Sequence, residues 1–180
     1  MSLGLIGQAA AMFAVTNVDD LVLLAVFFGQ ATALTVVAGQ LVGFGAILAV
    51  SVAGALGAGL LPDGAVRWLG VLPILLGIRA AWRRDDDKPA PAAGVLGIAA
   101  VCFANGGDNV GVYVPAFAAT GPGGLVTYTA VFLVGVAVWC LAGRFLATRP
   151  GVARVLARWG HVVLPVVLIA LGVLILLGAF

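Results

Sequence analysis

The sequence predicts an all-α polytopic membrane protein, and three observations support this fold class. Of the 180 residues, 63% are hydrophobic and 9% are charged, whereas a soluble domain carries roughly 25% charged residues. Two runs contain no charged residue, 21–62 and 109–143, and each exceeds the roughly 20 apolar residues that carry a helix across a bilayer. Neither run alternates apolar with polar residues as barrel strands do, so we expect the spanning elements to be helices.

Turn residues and charges divide the chain into six predicted transmembrane helices. These spans lie near residues 3–28, 33–60, 65–82, 93–118, 124–147 and 160–179. The first span lacks the basic start and the cleavage site of a secretory signal, so we expect it to be retained. Pro73, Pro115 and Pro165 can each kink a span, because proline removes a helical hydrogen bond.

The basic residues predict the orientation of these spans. If the six spans alternate in direction, one side of the membrane collects eight of the nine Lys and Arg residues, namely Arg79, Arg83, Arg84, Lys88, Arg144, Arg149, Arg154 and Arg158. The other side has only Arg67. Cytoplasmic loops carry the excess of positive charge. We therefore expect a multi-pass membrane protein with both termini outside the cytoplasm.

The two halves of the chain resemble each other. Asn17-Val18-Asp19-Asp20 in span one matches Asn105-Gly106-Gly107-Asp108 in span four, 88 residues later. The start of span three, Arg67-Trp68 with Pro73, is similar to that of span six, Arg158-Trp159 with Pro165. Three spans per unit is an odd number, so the second unit enters the membrane from the opposite face. This predicts a 3+3 inverted-topology repeat within one transmembrane domain, 1–180: repeat one at 1–82, a cytoplasmic linker at 83–92 and repeat two at 93–180.

Carboxylates inside the apolar spans form the candidate site. A charged Asp in mid-bilayer costs about 2.5–3.5 kcal/mol on insertion scales and usually faces the interior of the protein. Spacing of three residues places an Asn beside an Asp on one helix face in each motif, and carboxylate and amide oxygens are the ligands of hard divalent cations. The predicted metal ligands are Asn17, Asp20, Asn105 and Asp108. Asp19 and Asn109 are additional candidate ligands, and Thr16 is a candidate supporting partner of the aspartates.

Other interpretations of these spans stay open. The aspartates can serve as hydrogen-bonding contacts between helices, and Gly106-Gly107 can either unwind span four or allow close packing. Cys102 and His161 are candidates for the metal pathway, although ordinary packing and an interfacial position are the favoured interpretations. Gly39 and Gly43 form a small-xxx-small pair typical of helix contact.

Several classes of function are excluded or disfavoured by the sequence. There is no phosphate-binding loop of the Gly-x-x-x-x-Gly-Lys-Ser/Thr type and no His-Glu-x-x-His motif. No nucleophile stands beside a base within a span. We therefore expect neither an enzyme nor a resident cofactor. The net charge of +2 is spread over short clusters, which disfavours a nucleic-acid partner.

A family resemblance rests on four stretches of the chain. They are Thr16-Asn17-Val18-Asp19-Asp20-Leu21, Gly39-Gln40-Leu41-Val42-Gly43-Phe44, Ala104-Asn105-Gly106-Gly107-Asp108-Asn109 with Gly111-Val112-Tyr113-Val114-Pro115, and Gly160-His161 with Pro165. Together they resemble the cadmium-resistance transporter family of the lysine-exporter superfamily. The resemblance implies a six-span protein that exports heavy metal across the plasma membrane, with the two aspartate motifs at the presumed site.

The expected function is export of Cd2+, or of Zn2+ or another divalent cation, by a secondary transporter. The three negative charges of the carboxylates exceed the two positive charges of one divalent cation. Protons therefore compete with the metal for these carboxylates, which makes proton antiport chemically available. The expected partners are the divalent cation, protons and the lipid bilayer, and a homodimer stays open. One alternative is an exporter of a cationic amino acid such as lysine. Another is a membrane subunit or scaffold that transports nothing.

Overall fold

The fold is built from helices. The computed structural model describes residues 3–60, 62, 65–82, 94–149, 151, 165–166 and 168–178. The helices are α1 (Leu3–Thr16), α2 (Val18–Gln30), α3 (Ala33–Ala58), a 3-10 helix (Val66–Gly70), α4 (Val71–Trp82), α5 (Gly94–Asn105) and α6 (Gly107–Ala147). Residues 168–176 are also helical, and no strand occurs in any of these ranges. The all-α prediction is confirmed.

Within the described part of the chain, two helices, α3 and α6, are long and apolar enough to cross a membrane. The pair α1 and α2, bent by 57°, makes a third candidate if it is one span, and α5 is a shorter apolar helix. Only 39% of the most apolar stretch of α3 and 28% of that of α6 is buried. Such extensive apolar surface suits lipid and not water. The chain is a membrane protein, while the six spans and their repeat stay predictions.

Three interruptions break the helices. The first predicted span is broken at Asn17, between α1 and α2, and the fourth at Gly106, between α5 and α6. The third interruption lies inside α6 at Gly121, whose φ of 68° glycine adopts readily. Helix α6 is therefore two helices, 107–120 and 122–147. The backbone stays helical through Pro115, and the break at Gly121 falls between the predicted fourth and fifth spans, 93–118 and 124–147.

The glycine pair of α3 packs against α5. A Cβ on Gly39 would lie 2.6 Å from the side chain of Ile98. One on Gly43 would lie 2.7 Å from the Cβ of Cys102 and from the backbone oxygen of Ala99. The predicted helix contact at this pair is therefore confirmed, and Cys102 is buried within it.

The third predicted span packs against the last one. A Cβ on Gly70 would lie 2.5 Å from the carbonyl oxygen of Gly172, and a Cβ on Gly172 would lie 2.5 Å from the carbonyl oxygen of Gly70. Further along the pair, Gly77 approaches Pro165 and Ile169. His161, Arg158-Trp159 and the predicted linker 83–92 lie outside the described residues.

Buried aromatic side chains fill the protein on one side of the helix breaks. We call this group the aromatic cluster, and its members are Phe13, Phe44, Tyr113, Phe117, Tyr128 and Phe132. Their rings pack at centroid distances such as 4.7 Å between Tyr113 and Phe132. Phe13 stands one helical turn before Asn17, and Tyr113 stands one turn after Asn109. The cluster thus borders the polar residues at the breaks.

Candidate cation site

The two Asn/Asp motifs contact each other directly. The side-chain Nδ2 of Asn105 donates hydrogen bonds to Asp19 Oδ2 at 2.9 Å and to Asp20 Oδ1 at 3.0 Å. A third bond runs from Asn109 Nδ2 to Asn17 Oδ1 at 3.2 Å. Each bond joins the first motif to the second across 85 or more residues of sequence. The structure therefore brings the motifs together at the two helix breaks.

Asp20 is the most deeply placed carboxylate of the site, with only 3% of its surface exposed. Besides the bond from Asn105, its Oδ2 accepts a hydrogen bond from Gln40 Nε2 at 3.1 Å. A buried carboxylate is costly unless hydrogen bonds or a cation compensate for the lost water. Two amide donors supply part of that compensation here.

Asp19 and Asp108 are both half-buried, and each is the second residue of its helix, α2 or α6. Asp19 and Asp20 lie in the first turn of α2, and Asp108 lies in the first turn of α6. The positive end of each helix dipole favours a negative side chain there. Asp108 Oδ1 also accepts a hydrogen bond from the backbone N–H of Asn109 at 3.1 Å. The local fold therefore favours negative charge at both helix starts.

Asn17 connects its own helix break to the aromatic cluster. Its Nδ2 lies 2.8 Å from the Phe13 carbonyl, 3.0 Å from Thr16 Oγ1 and 2.8 Å from the Tyr113 hydroxyl. The Tyr113 hydroxyl and Thr16 Oγ1 are 2.9 Å apart, and Thr16 donates to the Met12 carbonyl at 2.9 Å. The structure thus places Thr16 against Asn17 and Tyr113, whereas the sequence suggested a position beside the aspartates.

The carbonyl freed at the first break has its own partner. Trp139 Nε1 donates a hydrogen bond to the backbone oxygen of Asn17 at 2.6 Å. Interrupted helices are tolerated inside membranes only where neighbouring groups satisfy the backbone. Trp139, on the 122–147 part of α6, does this for Asn17.

Sequence reasoning missed three residues of this network: Gln40, Tyr113 and Trp139. Gln40 carried a signal, because it is an amide within the otherwise apolar helix α3. Tyr113 also carried one, since it follows Asn109 by one helical turn. For Trp139 no local signal exists, because its partner is the backbone of a residue 122 positions away.

The donor set of the site consists of carboxylate and amide oxygens. Among the residues that the structure describes, no three His, Cys, Asp or Glu side chains are grouped so as to hold a metal ion. A cation at these motifs would therefore need amide oxygens beside the carboxylates, which hard and borderline divalent cations accept. Cys102, the alternative soft ligand, is buried in the contact between α3 and α5.

Fold and site together define an all-helical membrane protein whose buried polar residues meet at two helix breaks. The profile of cadmium resistance transporters matches residues 13–179. The chain therefore belongs to the cadmium resistance transporter family, and the resemblance carried by the motifs is confirmed at that level. Searches of curated proteins and of solved structures each returned no significant match. A place in the lysine-exporter superfamily stays a prediction.

Proposed function

We propose that this chain is a secondary transporter that exports Cd2+, or a similar divalent heavy-metal cation, across the plasma membrane by proton antiport. The cation site is formed by Asn17, Asp20, Asn105 and Asp108, with Asp19 and Asn109 as further ligands. One observation carries the proposal: Asn105 of the second motif bridges Asp19 and Asp20 of the first. Family membership adds the cadmium substrate and the transport activity.

The proposed architecture is six spans in a 3+3 inverted repeat, with both termini outside. The helix breaks at Asn17 and Gly106 are 89 residues apart, and the same offset relates residues 33–58 of α3 to residues 122–147 of α6. The packing between the two halves of the chain is reciprocal as well. Helix α3 packs against α5, while the 122–147 helix packs against the first span, where Gly135 approaches Phe13 and Gly143 approaches Leu24. Inverted repeats of transporters place the substrate between the two copies in this way.

Charge balance is the basis for the proposed coupling to protons. Asp19, Asp20 and Asp108 together carry three negative charges when ionised, against two positive charges on a divalent cation. A bound metal expels protons from its ligands, and protons bound to those ligands weaken the metal. Carboxylates that bind the metal and protons in alternation would exchange outgoing metal for incoming protons. No nucleotide is needed for this cycle.

Uptake into inverted vesicles containing the full chain tests the proposal. Under a pH gradient with an acidic lumen, we expect Cd2+ to accumulate, and dissipation of the gradient to stop it. Asp20→Asn and Asp108→Asn should each abolish Cd2+ uptake, while Asp86→Asn in the predicted linker removes the same charge and should leave uptake intact. Uptake of lysine in place of Cd2+ would favour an amino-acid exporter. Vesicles that accumulate neither would contradict transport altogether.

A further inference from the structure

Gln40 is a buried polar residue to which the sequence assigned no role. Its amide is 3% exposed and lies on α3, a 26-residue helix with no charged residue. An amide buried in such surroundings without a partner would be destabilising. Its partner is Asp20, through the bond from Nε2 to Oδ2 at 3.1 Å. Gln40 therefore lies at the carboxylate that the proposed transport site depends on.

Amide N–H groups occupy both oxygens of Asp20. Gln40 donates to Oδ2, and Asn105 donates to Oδ1 while also reaching Asp19. The NH2 group of Asn105 thus bridges two carboxylates, and it presents its partial positive charge between them. Each carboxylate oxygen keeps a further lone pair, but a divalent cation between Asp19 and Asp20 would meet the partly positive N–H groups of Asn105 there. The amide donors and the cation are alternatives at this position.

We propose that Gln40 is a cation ligand, and that Gln40 and Asn105 form a switch which inverts when the cation binds. Without the cation, both amides point N–H groups at Asp20. With it, both amides rotate and present Gln40 Oε1 and Asn105 Oδ1 to the metal, next to the carboxylates of Asp19 and Asp20. This inference rests on the proposed function, and it identifies a ligand and a mechanism of binding that the paired motifs do not specify.

The chemistry of a primary amide makes this inversion favourable. The NH2 end of the amide donates two hydrogen bonds and repels a cation, whereas the carbonyl oxygen accepts two and binds a cation. Rotation of the side-chain amide by half a turn therefore exchanges the first end for the second. Two carboxylates and two amide carbonyls then provide at least four oxygen ligands. Such a set suits a divalent cation that accepts oxygen coordination. The negative charge of Asp20 is also compensated in both states. The amide N–H groups compensate for it without the cation, and the metal does so when the cation is bound.

Cadmium titration of the purified full chain tests the switch. The chain contains three Gln residues, Gln8, Gln30 and Gln40, so glutamine labelled with carbon-13 at its side-chain carbonyl gives a small set of infrared bands. We expect CdCl2 to shift one of these bands in the wild type and in Gln30→Leu, whose exposed side chain ends α2. The shift should be absent in Gln40→Leu, whose Cd2+ affinity should fall at least tenfold.

Gln40→Glu keeps a polar group at the position and replaces the amide with a carboxylate, so we expect it to bind Cd2+ at least as tightly as the wild type. It provides the test if Gln40→Leu does not fold. Two outcomes would overturn the switch and leave the transport proposal standing. One is wild-type Cd2+ binding without a band shift. The other is a Cd2+ affinity or band shift of Gln40→Leu, or a Cd2+ affinity of Gln40→Glu, that differs from these expectations. A wild-type chain that binds no Cd2+ would overturn both.

Discussion

At the scale of single residues, two buried tyrosines differ in one respect that affects stability. Tyr113 and Tyr128 are both fully buried in the aromatic cluster. The hydroxyl of Tyr113 contacts Asn17 and Thr16, whereas that of Tyr128 has no hydrogen-bond partner within the described part of the chain. Tyr113→Phe should lower the free energy of unfolding by about 1–3 kcal/mol, because buried polar partners lose a bond. Denaturant unfolding in detergent, followed by circular dichroism, measures this loss.

Tyr128→Phe is the matched control for this substitution. It removes the same atom from another buried ring of the cluster, yet no bond inside the described protein is lost. We expect its stability to equal or exceed that of the wild type, since a buried hydroxyl without a partner is a cost. Equal losses in the two variants would show that the network around Asn17 adds no stability beyond ring packing.

At the scale of elements, the helix breaks show what local sequence can and cannot predict. Gly106-Gly107 raised the expectation of unwinding because glycine stabilises a helix poorly, and the break lies at Gly106. The break at Asn17 has neither Gly nor Pro beside it. It depends on tertiary partners of Asn17, namely Trp139 and Tyr113, which are distant in sequence. The break at Gly121 falls between the predicted fourth and fifth spans, where turn residues did predict an interruption.

The contact between α3 and α5 gives a prediction at this scale. A Cβ on Gly43 would lie 2.7 Å from the backbone oxygen of Ala99, which cannot move unless α5 moves. Gly43→Ala should therefore destabilise the protein by about 1–3 kcal/mol, as overpacking does. Gly45 lies on the same helix with no such neighbour within 4 Å, so Gly45→Ala should be neutral or stabilising. Thermal unfolding of the two purified variants measures the difference, and similar melting temperatures would contradict it.

At the scale of the whole molecule, the repeated motifs were the most informative feature of the sequence. Offset matching predicted that Asn17-Asp20 and Asn105-Asp108 would lie near each other, and hydrogen bonds do join the two stretches. The hydrogen bond from Gln40 to Asp20 was not predictable in the same way. It comes from a helix outside both motifs, and only the packing of α3 beside α2 and α5 places its amide on Asp20.

The basic residues predict an orientation of the molecule, and this leads to the last prediction. Arg67 and Arg79 are both exposed, near opposite ends of the third predicted span, and the charge bias predicts that Arg79 is cytoplasmic and Arg67 is outside. Replacing either by cysteine leaves most of the bias intact. The native Cys102 and Cys140 are 1% and 6% exposed, so they should react slowly.

A membrane-impermeant maleimide applied to intact cells should label Arg67→Cys and spare Arg79→Cys, and applied to inverted vesicles it should do the opposite. The two variants carry the same substitution in one segment, so a difference in labelling reports the side of the membrane and not the chemistry of the residue. Labelling of Arg79→Cys from outside would invert the orientation. Equal labelling of both variants from one side would mean that residues 66–82 do not cross the membrane, which would remove the third span and with it the inverted repeat.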